Sequence, residues 1–145
     1  MDIVYNTATE KEIFQYLTKM NTLYVPALNT ITNIEAYSRK LYDKAFRIEY
    51  YQKKILSGFL ACYFNEEQNF VFVTTISVLP EYQNLGIAQQ LLNKIIELSK
   101  ANPAIKKIDL EVSNQNTNAQ KFYIKNGFED IQVKQTTKIL SKDIT

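Results

Sequence analysis

The sequence predicts a mixed α/β fold built on a central twisted mixed sheet of about six to seven strands, in the order β-α-α-β-β-β-α-β-α-β-β. Three observations carry this. Three consecutive strand-like segments between Ala45 and Val78 are joined by short polar turns, which makes an antiparallel meander. A long amphipathic helix then separates Phe70–Val78 from the next strand, so these two must be parallel neighbours in a β-α-β unit. Two last strand-like runs form a closing hairpin.

Asp2-Ile3-Val4-Tyr5 reads as a short first strand. Thr9-Glu10-Lys11-Glu12 has the spacing of a capping box, and Ile13, Phe14 and Leu17 give the helix that follows, to about Lys19, an apolar face. Pro26 breaks the apolar run Leu23–Leu28 into a loop packed on the body. A second helix runs from Ile34 to about Lys44, with Ile34, Tyr37, Leu41 and Tyr42 as its inward candidates. The meander follows as Ala45–Tyr51, Ile55–Phe64 and Phe70–Val78. In its first strand Phe46, Ile48 and Tyr50 alternate with Arg47, Glu49 and Tyr51.

After Val78-Leu79-Pro80 the chain turns through Gly86. Ile87, Leu91, Ile95 and Leu98 then recur at helical spacing, with Leu92 and Ile96 widening the stripe. Ala101-Asn102-Pro103 stops this helix. Ile108, Leu110 and Val112 alternate with Asp109 and Glu111 in a fifth strand. Asn116 or Thr117 caps a short helix carrying Ala119, Phe122 and Tyr123, and Gly127 ends it as a left-handed cap. Phe128–Val133 and Thr136–Leu140 form the hairpin. With no repeat or linker, residues 1–145 are expected to form one domain.

Composition narrows the chemistry. A net charge of +2 without a basic cluster argues against a nucleic-acid partner. No apolar run is long enough to span a membrane, and a lone cysteine, Cys62, suits a reducing cytoplasm. With no histidine, serine triads, Cys–His dyads and histidine zinc sites are excluded, and no metal is expected. What remains is the helix that opens at Ile87. Its first N–H groups lack internal partners and carry the positive end of the helix dipole. Gly86 lets a ligand approach the backbone, and Ala88 keeps the helix start slim, as a phosphate or pyrophosphate site needs. A Gly-x-Gly-x-x-Gly signature is absent and the loop follows a meander, which argues against a Rossmann dinucleotide enzyme.

The Gln83-x-x-Gly86-x-Ala88 loop after Val78-Leu79-Pro80 resembles the acetyl-CoA pyrophosphate loop of the GNAT superfamily of N-acetyltransferases. Leu110-Glu111-Val112, followed by Asn116-x-x-Ala119-x-x-Phe122-Tyr123-x-x-Asn126-Gly127-Phe128, is similar to that superfamily's second cofactor segment. The resemblance implies a GNAT-like fold with strands 4 and 5 splayed apart, and direct transfer of an acetyl group from acetyl-CoA to a primary amine of a small molecule or peptide. Backbone groups of Ile76, Ser77 and Val78 would pair with the pantetheine arm, and one N–H there would polarise the thioester carbonyl. The N–H groups of Asn84, Leu85, Gly86, Ile87 and Ala88 would hold the pyrophosphate while Gln83 steadies the loop.

Tyr123 is the candidate general acid, and Asn116 is a candidate for the pantetheine arm as well as for an N-cap. A lysine-like amine must lose a proton first, at a cost of about 4–5 kcal/mol at pH 7. Glu49, Asp109 and Glu111 are the carboxylates considered for this, and none is assigned. The acceptor wall is sought among Tyr24, Tyr37, Tyr42, Phe46, Tyr50 and Tyr63, with core packing as the alternative. Arg39, Lys40 and Arg47 are candidates to meet an acidic group on the acceptor, and are read first as exposed charges without partners. Two alternatives stay open: a non-catalytic acyl-CoA-binding module, and a transferase for a longer acyl group. Oligomeric state is equally open, with a homodimer through the terminal hairpin as one option.

Overall fold

The computed structural model describes residues 2–145; Met1, included in the expected domain, lies outside them. Seven strands form one sheet, β1 (Asp2–Tyr5), β2 (Phe46–Gln52), β3 (Ile55–Asn65), β4 (Phe70–Val78), β5 (Lys107–Ser113), β6 (Glu129–Val133) and β7 (Thr137–Asp143), in the order β1-β2-β3-β4-β5-β7-β6. All neighbours are antiparallel except β4 and β5. Helices α1 (Glu10–Met20) and α2 (Ile34–Lys44) cover one face; α3 (Ile87–Lys100) and α4 (Thr117–Lys125) cover the other.

The local signals act as expected. Thr9 and Glu12 close the capping box of α1, and Asn33 and Asn116 cap α2 and α4 with their side chains. Gly127 has φ +89°, the left-handed region expected of it. The buried face of α1, however, is Ile13, Tyr16, Leu17 and Met20. Phe14 stands half out of it at 38% exposed, because Tyr16 takes the sheet side of the helix, tilted against Phe59. Tyr42 is likewise exposed, its ring over the Arg47 guanidinium, and Leu41 with Ser38 fills the buried side of α2. In the loop between these helices Leu28 is buried while Leu23, Val25 and Ile31 face outward. The closing strand runs on past Leu140 to Asp143 because β5 pairs with it along its whole length.

Covering both faces changes the meaning of the alternation in β2. Phe46, Ile48 and Tyr50 face α3, but Arg47 and Glu49 face α1 and α2 and are 3% and 0% exposed. Arg47 Nε donates to Glu49 Oε2 at 2.9 Å, and its other nitrogens donate to the Ala8, Leu41 and Tyr42 carbonyls. Glu49 Oε1 accepts from Thr7 N–H, Thr7 Oγ1 and Ala8 N–H. The pair therefore ties the entry to α1 and the end of α2 onto β2. Arg47 is not an exposed charge, and Glu49 has no oxygen left for acid–base work.

Gly58 sets the height of α3 above the sheet. A Cβ there would lie 2.7 Å from Ile87 Cγ2 and 3.3 Å from Leu91 Cδ1, so the first turn of α3 rests on bare backbone. Gly58→Ala is expected to lose more to overpacking, about 1–3 kcal/mol, than it gains in backbone entropy, about 0.5–1 kcal/mol. Denaturant unfolding measures the balance; a stabilised variant would mean that α3 moves away at no cost.

Candidate active site

The β4–β5 pairing is short. Phe70, Val71, Phe72 and Val73 pair with Lys107, Ile108, Asp109 and Leu110, and there the parallel ladder ends. Between Val73 and Thr75 the register against β3 slips by one residue, which makes Thr74 a bulge. Beyond it β4 stays on β3 as far as Val78 while its other edge leaves β5, opening a gap on the sheet's mid-line.

Beside this gap α3 begins. Gly86, at φ +81°, is its N-cap and supplies no side-chain cap, unlike the residues that start α1, α2 and α4. A Cβ on Gly86 would meet nothing within 4 Å, so the space in front of the helix is open. Asn84 is also in the left-handed region, at φ 64°. The loop is held from below, where Gln83 Nε2 donates to the Val78 carbonyl at 3.0 Å. Gln89 Nε2 donates to Asn126 Oδ1 at 2.7 Å and links the first turn of α3 to the end of α4. The result is a row of N–H groups at a positive helix end, presented on a braced loop.

A cavity of about 410 Å³ lies at this helix mouth, lined by Ile76, Val78, Gln83, Asn84, Gly86, Ile87, Ala88, Ala119 and Tyr123 among others. A second, of about 600 Å³, lies on the α1–α2 side and is lined by Tyr24, Tyr37, Lys40, Thr74, Thr75, Glu111 and Asn116 among others. Ile76, Ala119 and Tyr123 line both, so the two spaces meet where β4 and β5 part.

The expected site residues distribute around this junction. Leu85 is the exception in the loop: it is 64% exposed and does not line the mouth. The Ser77 side chain belongs to the other face, with its Oγ 2.9 Å from Tyr16 Oη and 3.1 Å from Tyr24 Oη. Asn116 Oδ1 accepts from Ala119 N–H at 3.1 Å as the cap of α4 while also lining the larger cavity. Tyr123 is 8% exposed and packs edge-on against Phe122 and Phe128, at 5.4 and 5.6 Å between ring centroids. Burial raises its phenol above the ordinary value of 10.0, so it carries its proton throughout the neutral range.

Of the three carboxylates considered, Asp109 is buried, accepts from Ser141 Oγ and pairs with Lys107. Only Glu111 lines the larger cavity, with Lys134 at 3.5 Å and the Thr137 hydroxyl as its partners. Of the aromatic wall, Tyr24 and Tyr37 line that cavity. Tyr50 is in the core beneath α3, and Phe46 stacks with Tyr5 and meets Phe64 edge-on. The sequence reading missed Thr74 and Thr75. Hydroxyl residues late in β4 were the available signal, and the bulge decides which way they point.

Comparison with known proteins agrees with this geometry. The family model described as Acetyltransferase (GNAT) family matches residues 9–128. N-alpha-acetyltransferase 50 of Danio rerio is 27% identical over 126 residues, covering 82% of this chain and 75% of its own. In fold the chain is similar to smu.2055 from Streptococcus mutans UA159, with a TM-score of 0.81 at 20% identity and full coverage of both chains. It is also similar to the PaiA N-acetyltransferase from Thermoplasma acidophilum solved in complex with coenzyme A, with a TM-score of 0.73 at 19% identity over 99% of each chain. With the parted strands, the open helix mouth and a match over residues 9–128, this chain belongs to the GNAT family of acetyltransferases.

Proposed function

We propose that the chain moves an acetyl group from acetyl-CoA directly to a primary amine, the amine entering by the larger cavity and the co-substrate by the helix mouth. One observation carries this reading: an uncapped helix start and a strand edge without a partner open into the same space as the Tyr123 ring. Bound acetyl-CoA would supply a thioester as the activated acyl donor. The N–H groups of Asn84, Leu85, Gly86, Ile87 and Ala88 would hold its pyrophosphate, and the free edge of β4 at Ile76–Val78 would pair with its pantetheine amides.

As the amine nitrogen bonds to the acetyl carbon and the carbon–sulfur bond breaks, Tyr123 Oη would give its proton to the departing sulfur. Glu111, the carboxylate of that cavity, would take the proton the amine loses. Direct transfer is favoured over an acyl-enzyme because Cys62 is buried in the core, which pushes its thiol up to about 12.

Thermal unfolding with CoA and acetyl-CoA tests the reading, followed by an amine panel scored for free thiol. At a hundredfold excess over the dissociation constant, binding stabilises the native state by about 2.7 kcal/mol. No stabilisation by either compound would defeat the proposal. Stabilisation without thiol release from any amine would make the chain a binding module.

A further inference from the structure

The larger cavity has an uneven set of polar groups. Its carboxylate, Glu111, is already engaged by Lys134 and by the Thr137 hydroxyl. On the α2 side stands Lys40, with no carboxylate within 4 Å among the described residues; its neighbour Arg39 pairs with Glu10 instead. Lys40 Nζ lies 5.8 Å from the centre of the Tyr63 ring. The Tyr63 hydroxyl is buried and has no hydrogen-bond partner, a costly state for a polar group. Burial and then the nearby Tyr37 phenol raise its pKa, and Tyr37 Oη itself lies 3.3 Å from Thr74 Oγ1. Tyr63 itself does not line the cavity, so Lys40 and Tyr37 are the polar groups that face it from α2, with no carboxylate beside them among the described residues. A polyamine or aminosugar would meet repulsion there and find one carboxylate, already paired.

Building on the acetyl-transfer reading, we infer that the acceptor is an amine that also carries a carboxylate, its amine toward Tyr123 and its carboxylate held by Lys40 beside Tyr37. Such a group completes the polar inventory of the cavity: Lys40 gains a counter-ion and the Tyr37 phenol a charged acceptor. The carboxylate has two sources, a free amino acid or an acidic residue near the start of a peptide.

The test compares matched acceptors that differ only in that group. Phenylalanine against phenethylamine addresses the first source, and the amidated dipeptides Ala-Glu and Ala-Gln the second. Turnover is scored as kcat/KM. Binding is scored with the acetylated products, added to the CoA-saturated protein, so no result depends on turnover alone. At least one pair should favour the carboxylate about tenfold, equal to about 1.4 kcal/mol. Lys40→Met should abolish that preference through KM, and Lys40→Glu should reverse it, with CoA affinity unchanged in both. The inference is overturned if no pair shows the preference in turnover or binding, or if the Lys40 variants weaken both members alike. Failure of CoA to bind the wild-type chain would instead strike the acetyl-transfer reading beneath it.

Discussion

Tyr123→Phe is expected to lower kcat by about 10²–10⁴-fold while leaving CoA affinity and the free energy of unfolding nearly unchanged. Among the described residues the hydroxyl has no hydrogen-bond partner, so its removal orphans nothing. The ring keeps its edge-on contacts with Phe122 and Phe128. What is lost is a proton at the junction of the two cavities. Stopped-flow acetyl transfer under single-turnover conditions isolates the chemical step. A variant as fast as the parent would reduce Tyr123 to a packing residue.

A second readout comes from linkage. Burial raises the Tyr123 pKa, so above pH 10 the unfolded chain sheds this proton before the folded one does. The contribution is fully present below pH 10 and is lost as pH rises toward the folded value. Stability of the parent should therefore fall in alkali, and that of the phenylalanine variant should fall less.

Arg47→Met should destabilise the fold by about 3–5 kcal/mol, the cost of leaving a buried charge without its partner. Glu49 would then sit at 0% exposure with no cation beside it, and the Ala8 and Tyr42 carbonyls would lose a donor. A double variant, Arg47→Met with Glu49→Gln, should recover much of that loss, because an uncharged pair costs far less to bury. Urea unfolding of the two single variants and the double gives the coupling energy directly. A loss below about 1 kcal/mol, the worth of an exposed ion pair, would show that water reaches the pair.

The contrast between these two residues marks how far the chain could be read in advance. Tyr123 could be singled out as a candidate because it sits in a local pattern: Asn116, Ala119 and Gly127 fix the register of one short helix. The Gln83–Ala88 loop was legible for the same reason, since a glycine ahead of an amphipathic run marks a helix mouth wherever it falls. Arg47 was misread because period-2 alternation separates two faces without saying what covers the second. Phe14 and Tyr42 failed in a related way. Their helices are amphipathic, but how each helix rolls against the other is set by tertiary packing. The larger cavity was least legible. Its floor depends on a single extra residue, Thr74, which alters the phase of β4 and gathers hydroxyls that propensity treats as ordinary strand residues.

The brevity of the β4–β5 ladder also bears on how the molecule is put together. Four residue pairs are all that join the first four strands to the last three by sheet hydrogen bonds, and α3 bridges them as an axle. One plate carries Gln83 through Ala88; the other carries Glu111, Asn116 and Tyr123. Neither plate alone holds a complete set of groups. On the proposed acetyl-transfer reading, catalytic competence arises only when the plates meet along their seam.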